Sequence, residues 1–140
     1  MFKVGSIFIP VTNIEKSTEW YQKNLGVKII DHWEDGAGFY FPSSTTQLGL
    51  VQVETPQPSE FVIKGRKKNV YYNFIVQNIE EAHQYLNNHG VVTTAIEDFD
   101  GMKGFDFFDL DGNAFSVVDE DISSPFHSNN IMELQENKYQ

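Results

Sequence analysis

Two short stretches of the chain, VTNIE at 11–15 and VQNIE at 76–80, are almost the same, and each separates an apolar run from a segment with helical spacing. Asn13 and Asn78 stand 65 residues apart, and at that offset Ile7, Ile9 and Val11 fall on Tyr72, Phe74 and Val76. Apolar residues at every second position predict a strand with one buried face. An asparagine after such a strand predicts a helix N-cap, because its side chain accepts an otherwise orphaned backbone N–H. In the first copy Ile14, Thr18, Tyr21 and Leu25 form the expected buried stripe, and Gly26 ends the helix. In the second, Glu81 at the third helical position suits a capping box; Ile79, Ala82 and Leu86 form the stripe, and Gly90 closes it.

Both helices lead into strand and hairpin sequence. The first copy continues VKIIDHW, EDGAG, GFYF, PSSTT, QLGLVQVE; the second continues VVTTAIE, DFDG, GFDFF, DLDG, NAFSVV. Asp-Gly pairs between alternating strands are hairpin signals. The expected architecture is therefore α+β: two βαβββ modules, at 1–54 and 69–119, forming a curved sheet that encloses a cleft. Residues 55–68, TPQPSEFVIKGRKK, read as a linker loop from their two prolines and charge run. Residues 120–140 read as a C-terminal tail with a short helix over IMELQEN.

Composition removes several function classes. The absence of cysteine excludes disulfides, thiolate zinc sites and a cysteine nucleophile. Acidic residues outnumber basic ones 20 to 10, and the one basic cluster, Lys64, Arg66, Lys67 and Lys68, reads as a solvated loop, so nucleic acid is not an expected partner. No apolar run reaches the roughly 18 residues a membrane helix needs, so no membrane partner is expected. MFKVGSIFIPVTNIEK reads as a strand and a capped helix rather than a signal peptide, and a cytoplasmic location is expected.

Three motifs carry a resemblance to a known family. VTNIEKSTEWYQKNLGVKI is similar to the entry segment of the vicinal oxygen chelate superfamily, VQNIEEAHQYLNNHGV to its second copy, and FFDLDGNAFSVVD to its closing signature, with Leu110 where proline is usual. The resemblance spans about residues 3–119. The superfamily includes glyoxalase I, extradiol dioxygenases, fosfomycin-resistance enzymes and bleomycin-resistance proteins. The resemblance implies a divalent metal held in catalytic members by His, Glu or occasionally Gln at four inward positions. Carried over singly, those positions are Ser6, Gly49, Tyr71 and Ser116. None offers imidazole, carboxylate or amide, so neither a metal nor a metal-dependent reaction is expected here.

Other candidate groups read as structural. His83 and His89 lie on or at the end of the second helix, His127 in the tail, and His32 beside Trp33 where it could reach the cavity mouth. Counting back from Gly112, the loop lacks the first acid of a calcium-binding hand, so Asp109 and Asp111 are expected to serve a turn.

Strand parity then gives the cleft wall: Ser6, Phe8, Gln47, Gly49, Val51, Tyr71, Asn73, Ala114 and Ser116. Of these, Ser6, Phe8, Gln47, Gly49, Tyr71, Asn73 and Ser116 are the expected ligand-binding residues, with no catalytic residue and no metal site. A wall of aromatic, small and hydroxyl or amide side chains suits an organic ligand held by stacking and a few hydrogen bonds. The expected function is a metal-free small-molecule-binding protein that sequesters an organic, cationic aromatic ligand without a cofactor, as a homodimer. The alternative is a metal-dependent lyase or dioxygenase of the same family with an atypical site.

Overall fold

The computed structural model describes residues 1–99 and 101–137. The first module is β1 (Ser6–Val11), α1 (Ile14–Leu25), β2 (Lys28–Trp33), β3 (Gly36–Phe41) and β4 (Ser44–Gln52). Its sheet has the order β1-β4-β3-β2, with β1 parallel to β4 and the other pairs antiparallel. A hairpin follows, β5 (Glu60–Lys64) and β6 (Lys67–Val70). The second module is β7 (Asn73–Val76), α2 (Ile79–Asn88), β8 (Val92–Thr93), β9 (Glu97–Phe99), β10 (Met102–Phe108) and β11 (Ala114–Asp119). Its sheet runs β7-β11-β10-β8, and β9 also pairs with β10. Helix α3 (Ser128–Asn137) lies in the tail.

The repeated junction does what its chemistry requires. Asn13 accepts from the Lys16 N–H and Asn78 from the Glu81 N–H, each at 3.0 Å. Gly26 takes the left-handed conformation after α1 at φ 67°, and Gly90 does so after α2 at φ 76°. A side chain at either position would be strained, which is why glycine ends both helices.

Three sequence expectations need correction. The segment read as a linker loop contains the β5–β6 hairpin, closed at Gly65 with φ 61°. The strand read over VVTTAIE is split into β8 and β9, because Thr94 turns its hydroxyl onto the Asp106 N–H at 2.8 Å. This bond takes the place of a regular ladder contact. The α1 stripe also differs: Ser17, Tyr21 and Asn24 are its buried residues, and Thr18 is only half-buried.

The inner faces of the two sheets share one core with α1 and α2. Ile9, Val11, Phe39, Leu48 and Leu50 come from the first sheet, and Phe105, Phe107, Phe115 and Val117 from the second. Tyr21 of α1 packs edge-on against Phe115, with ring centres 6.3 Å apart, and Trp20 stacks on Phe107 at 6.5 Å. Each helix thus covers an inner face, and the outer face of each sheet is left open.

The two modules are tied by the turn between β10 and β11. The Tyr21 hydroxyl donates to Asp109 Oδ2 at 2.6 Å, and the Asn113 side chain donates to the same oxygen at 2.8 Å. Asp109 Oδ1 accepts from the Asp111 and Asn113 N–H groups, both at 2.9 Å. Asn113 Nδ2 also reaches the Pro10 carbonyl at 2.8 Å. Asp111 accepts from the Thr12 N–H at 3.0 Å and from the Thr12 hydroxyl. Burial first, and then the negative charge of Asp109, raise the pKa of Tyr21 above its ordinary value, so its O–H remains a donor. The acids expected to serve only a turn therefore also join the closing motif to the opening one.

In the tail, Glu120 accepts from both the Ser128 N–H, at 3.1 Å, and the Ser128 hydroxyl. It caps α3 from a distance, and the Ser128 hydroxyl bond is the largest cause holding its carboxyl below the usual value.

Two predictions follow from these contacts. Asp109→Ala strands four donors at once and is expected to cost about 3 kcal/mol or more of unfolding free energy. Tyr21→Phe removes one and is expected to cost about 1–2 kcal/mol. Urea unfolding that ranks them the other way would disprove the turn's linking role. The contribution of Glu120 is present above the ordinary carboxyl pKa of about 4 and is lost as pH falls through its lowered folded value. Helix α3 is thus expected to fray on acidification, and Glu120→Gln to fray it at neutral pH; amide exchange over residues 128–137 reads both.

Candidate ligand-binding faces

The register places Ser6, Phe8, Gln47, Gly49, Asn73 and Ser116 on the outer faces, while Tyr71 lies between β6 and β7 and has no ladder partner. In the first sheet Ser6 faces Gln47, and Phe8 faces Gly49, which is also opposite Gly38. In the second, Asn73 faces Ser116, which faces Asp106. Phe8 is 58% exposed and Tyr71 59%, large values for aromatic side chains in ordered positions. Ser6, Gln47 and Asn73 are exposed, Ser116 is half-buried, and Ala114 is fully covered with its carbonyl accepting from Ser59 Oγ at 3.3 Å.

Glycines let aromatic rings come close against the backbone on the first outer face. A Cβ on Gly49 would stand 2.6 Å from Phe8 Cδ1, and one on Gly36 would stand 2.4 Å from Trp33 Cε2. Both are closer than real Cβ contacts allow. Trp33 is opposite Gly36 in the ladder and is half exposed, so its indole forms part of this wall. His32, the expected neighbour of the cavity mouth, is opposite buried Ala37 and points to solvent on the edge strand; Trp33 takes the place expected of it. Parity relative to Gly36 was the available signal for Trp33.

The second outer face carries a carboxylate that the strand-by-strand reading missed. Ser116 Oγ donates to Asp106 Oδ1 at 2.6 Å, and the Asp106 backbone is pinned on both sides by Thr94. A cleft of ≈ 380 Å³ opens over this pair, with Glu97 and Phe99 on one side and Lys68 and Asn69 of the hairpin on the other. Lys68 is already engaged by Glu60 at 3.3 Å. Asp106 was legible only by pairing β10 against β11, since it lies ten residues from Ser116. Tyr71 and Asn73 line a neighbouring cleft of ≈ 630 Å³, whose first-module wall is Val4, Ile7, Phe41 and Ser43–Ser44 rather than Phe8 or Gly49. Within one chain, then, the expected residues form two groups on two faces.

The four family metal positions do not fit a metal. Ser6 and Tyr71 offer neutral hydroxyls, Gly49 is covered by the Phe8 ring, and the Ser116 hydroxyl is committed to Asp106. Among the described residues no group of three or more His, Asp or Glu side chains could hold a metal ion. The histidines are engaged elsewhere. His83 Nε2 donates to the Thr94 carbonyl at 2.9 Å while Nδ1 accepts from Asn87, and His89 Nδ1 donates to the Tyr85 carbonyl at 2.8 Å.

Gly36→Ala is expected to lift the Trp33 indole off the sheet and red-shift its emission. The fold would be retained, because the ring is half exposed and free to rotate away, so the stability cost stays below about 1 kcal/mol. Trp20→Phe removes the other fluorophore for this measurement. An unchanged spectrum would show that the ring does not rest on Gly36.

Among the described residues no helix is long and apolar enough to cross a membrane. No curated protein matches the sequence. Among solved structures, a glyoxalase/bleomycin resistance protein/dioxygenase superfamily member from Sphaerobacter thermophilus is 29% identical, covering 86% of this chain and 98% of its own, with a TM-score of 0.66. The genomically encoded fosfomycin resistance protein FosX of Listeria monocytogenes is 13% identical over 87% of this chain and 96% of its own, with a TM-score of 0.70. TnmS3, an antibiotic binding protein from a Streptomyces species, is 15% identical over 85% and 96%, with a TM-score of 0.66. The last two likenesses show the fold alone. The family pattern itself matches residues 3–117, across both modules and all three motifs, and the chain therefore belongs to the Glyoxalase/Bleomycin resistance protein/Dioxygenase superfamily.

Proposed function

We propose that this protein binds a small organic ligand without a metal, and that the ligand is aromatic and cationic. The observation that carries this reading is the Phe8 ring lying on Gly49. An aromatic surface stands at a position where catalytic relatives would place a metal ligand. Phe8 and Trp33 offer π-faces to a flat ligand, and Asp106 offers a carboxylate to a positive group. The net charge of −10 favours the approach of such a ligand. That TnmS3 is an antibiotic binding protein supports the reading at the level of fold.

The working unit we propose is a homodimer. The aromatic wall and the carboxylate wall sit on outer faces whose backs share one core, so a second copy supplies the facing wall. The competing reading, a metal-dependent lyase or dioxygenase, finds two carboxylates in the cleft, Asp106 beside the Ser116 position and Glu97, neither of them at a family metal position. It requires stoichiometric divalent metal in protein purified without chelator, and elemental analysis is expected to find none.

Titration with cationic aromatic dyes is expected to quench Trp33 emission and raise the melting temperature. Neutral analogues should bind less tightly. Phe8→Ala and Asp106→Asn should each weaken binding roughly tenfold, the scale of one cation–π or charge-assisted contact. If no cationic compound quenches or stabilises the protein, the reading fails.

A further inference from the structure

Two exposed apolar surfaces among the described residues have opposite charge. The first is the β5–β6 hairpin. It pairs with neither large sheet; β6 touches β11, the buried Ser59 before β5 donates to the Ala114 carbonyl at 3.3 Å, and Phe61 packs on Tyr71 at 5.2 Å. Phe61, Val62 and Ile63 are consecutive, apolar and 42%, 60% and 58% exposed. A lone two-stranded hairpin in water is marginally stable at best. Residues 60–70 hold four basic residues and one acidic, a net of +3, which leaves −13 on the rest of a chain whose total is −10.

The second surface is β2, the open edge of the first sheet. All six of its residues are exposed. Ile29, Ile30 and Trp33 are 45%, 51% and 49% exposed, and Asp31, Glu34 and Asp35 stand on the strand and its turn. Among the described residues the one ion-pair partner of Asp31 is His32, at 3.9 Å, and Lys28 is the basic residue of the strand. A long apolar edge strand is a template for pairing with another chain.

We infer that the hairpin is a docking arm and that the edge strand β2 of a second copy is its receptor. Each copy gives an arm and receives one, as two-fold symmetry requires. Phe61, Val62 and Ile63 meet the apolar residues of the edge, and Lys64, Arg66 and Lys67 meet Asp31, Glu34 and Asp35. Lys68 stays with its own Glu60. The placement follows from the two walls. The hairpin borders the cleft over Asp106 and Ser116, while β2 ends in Trp33 of the aromatic wall. Docking arm to edge brings the carboxylate wall of one copy over the aromatic wall of the other. The inference adopts the dimer proposed above, but not the identity of its ligand.

Charge exchange tests this. The wild type is expected to sediment as a dimer that weakens with salt. One variant carries Lys64→Glu, Arg66→Glu and Lys67→Glu; the other carries Asp31→Lys, Glu34→Lys and Asp35→Lys. Each alone should dissociate to monomers, with affinity reduced roughly 100-fold by like charges facing one another. Mixed in equal amounts, they should form a heterodimer, because both of its arm–edge contacts are again complementary. A monomeric wild type, a single variant that stays dimeric, or a mixture that stays monomeric each overturns the inference. Dye titration of the wild type is read separately, so loss of the ligand reading leaves this result standing.

Discussion

A buried carboxylate organises this molecule. Asp109 ends β10, holds its own turn by accepting two backbone N–H groups, and takes the phenol of Tyr21 from the other module. A charge in so apolar a place is tolerable only when its lone pairs are filled, and here four donors fill them. The same turn reaches Pro10 and Thr12, which lie just before the first helix. Without these bonds each module would keep its own hairpins, and the bond from the Tyr85 hydroxyl of α2 to the Lys23 carbonyl of α1, long at 3.3 Å, would be left to hold the angle between them. The separation of the two outer faces, and hence the shape of any site built on them, depends on this turn.

Much of this was legible in the sequence because the repeat carried it. Two strands with matching parity, two asparagine caps and two terminal glycines predicted two strand–helix units, and both caps form as read. What escaped depended on contacts between distant segments. The bond from Tyr21 to Asp109 spans 88 residues, and nothing local marks either partner for the other. The hairpin at 60–70 was hidden by the prolines before it and the charges within it, both ordinarily signs of a loop. Its strands are held mainly by each other. The break between β8 and β9 comes from one threonine hydroxyl, which propensity does not foresee.

The candidate faces were read by the same parity, and that reading was incomplete for the same reason. Reading each strand singly placed Ser116 on a wall and passed over Asp106, which only cross-strand pairing brings beside it. It placed Phe8 and Gly49 on one face, but their mutual dependence is a matter of distance between ring and backbone. The aromatic wall can lie close to the sheet because its glycines are bare, and on the carboxylate wall Asp106 is steadied by a neighbouring hydroxyl. These are the two surfaces on which the proposed ligand reading rests.

The cover over Gly49 also limits the routes by which such a scaffold could change its chemistry. A histidine or glutamate placed there in one step would collide with a benzyl group and gain no coordination in return. Phe8 is 58% exposed, so its ring can swing aside to admit such a side chain, but it then leaves its seat on the strand. Gaining a donor at position 49 therefore means giving up the stacking surface in the same step.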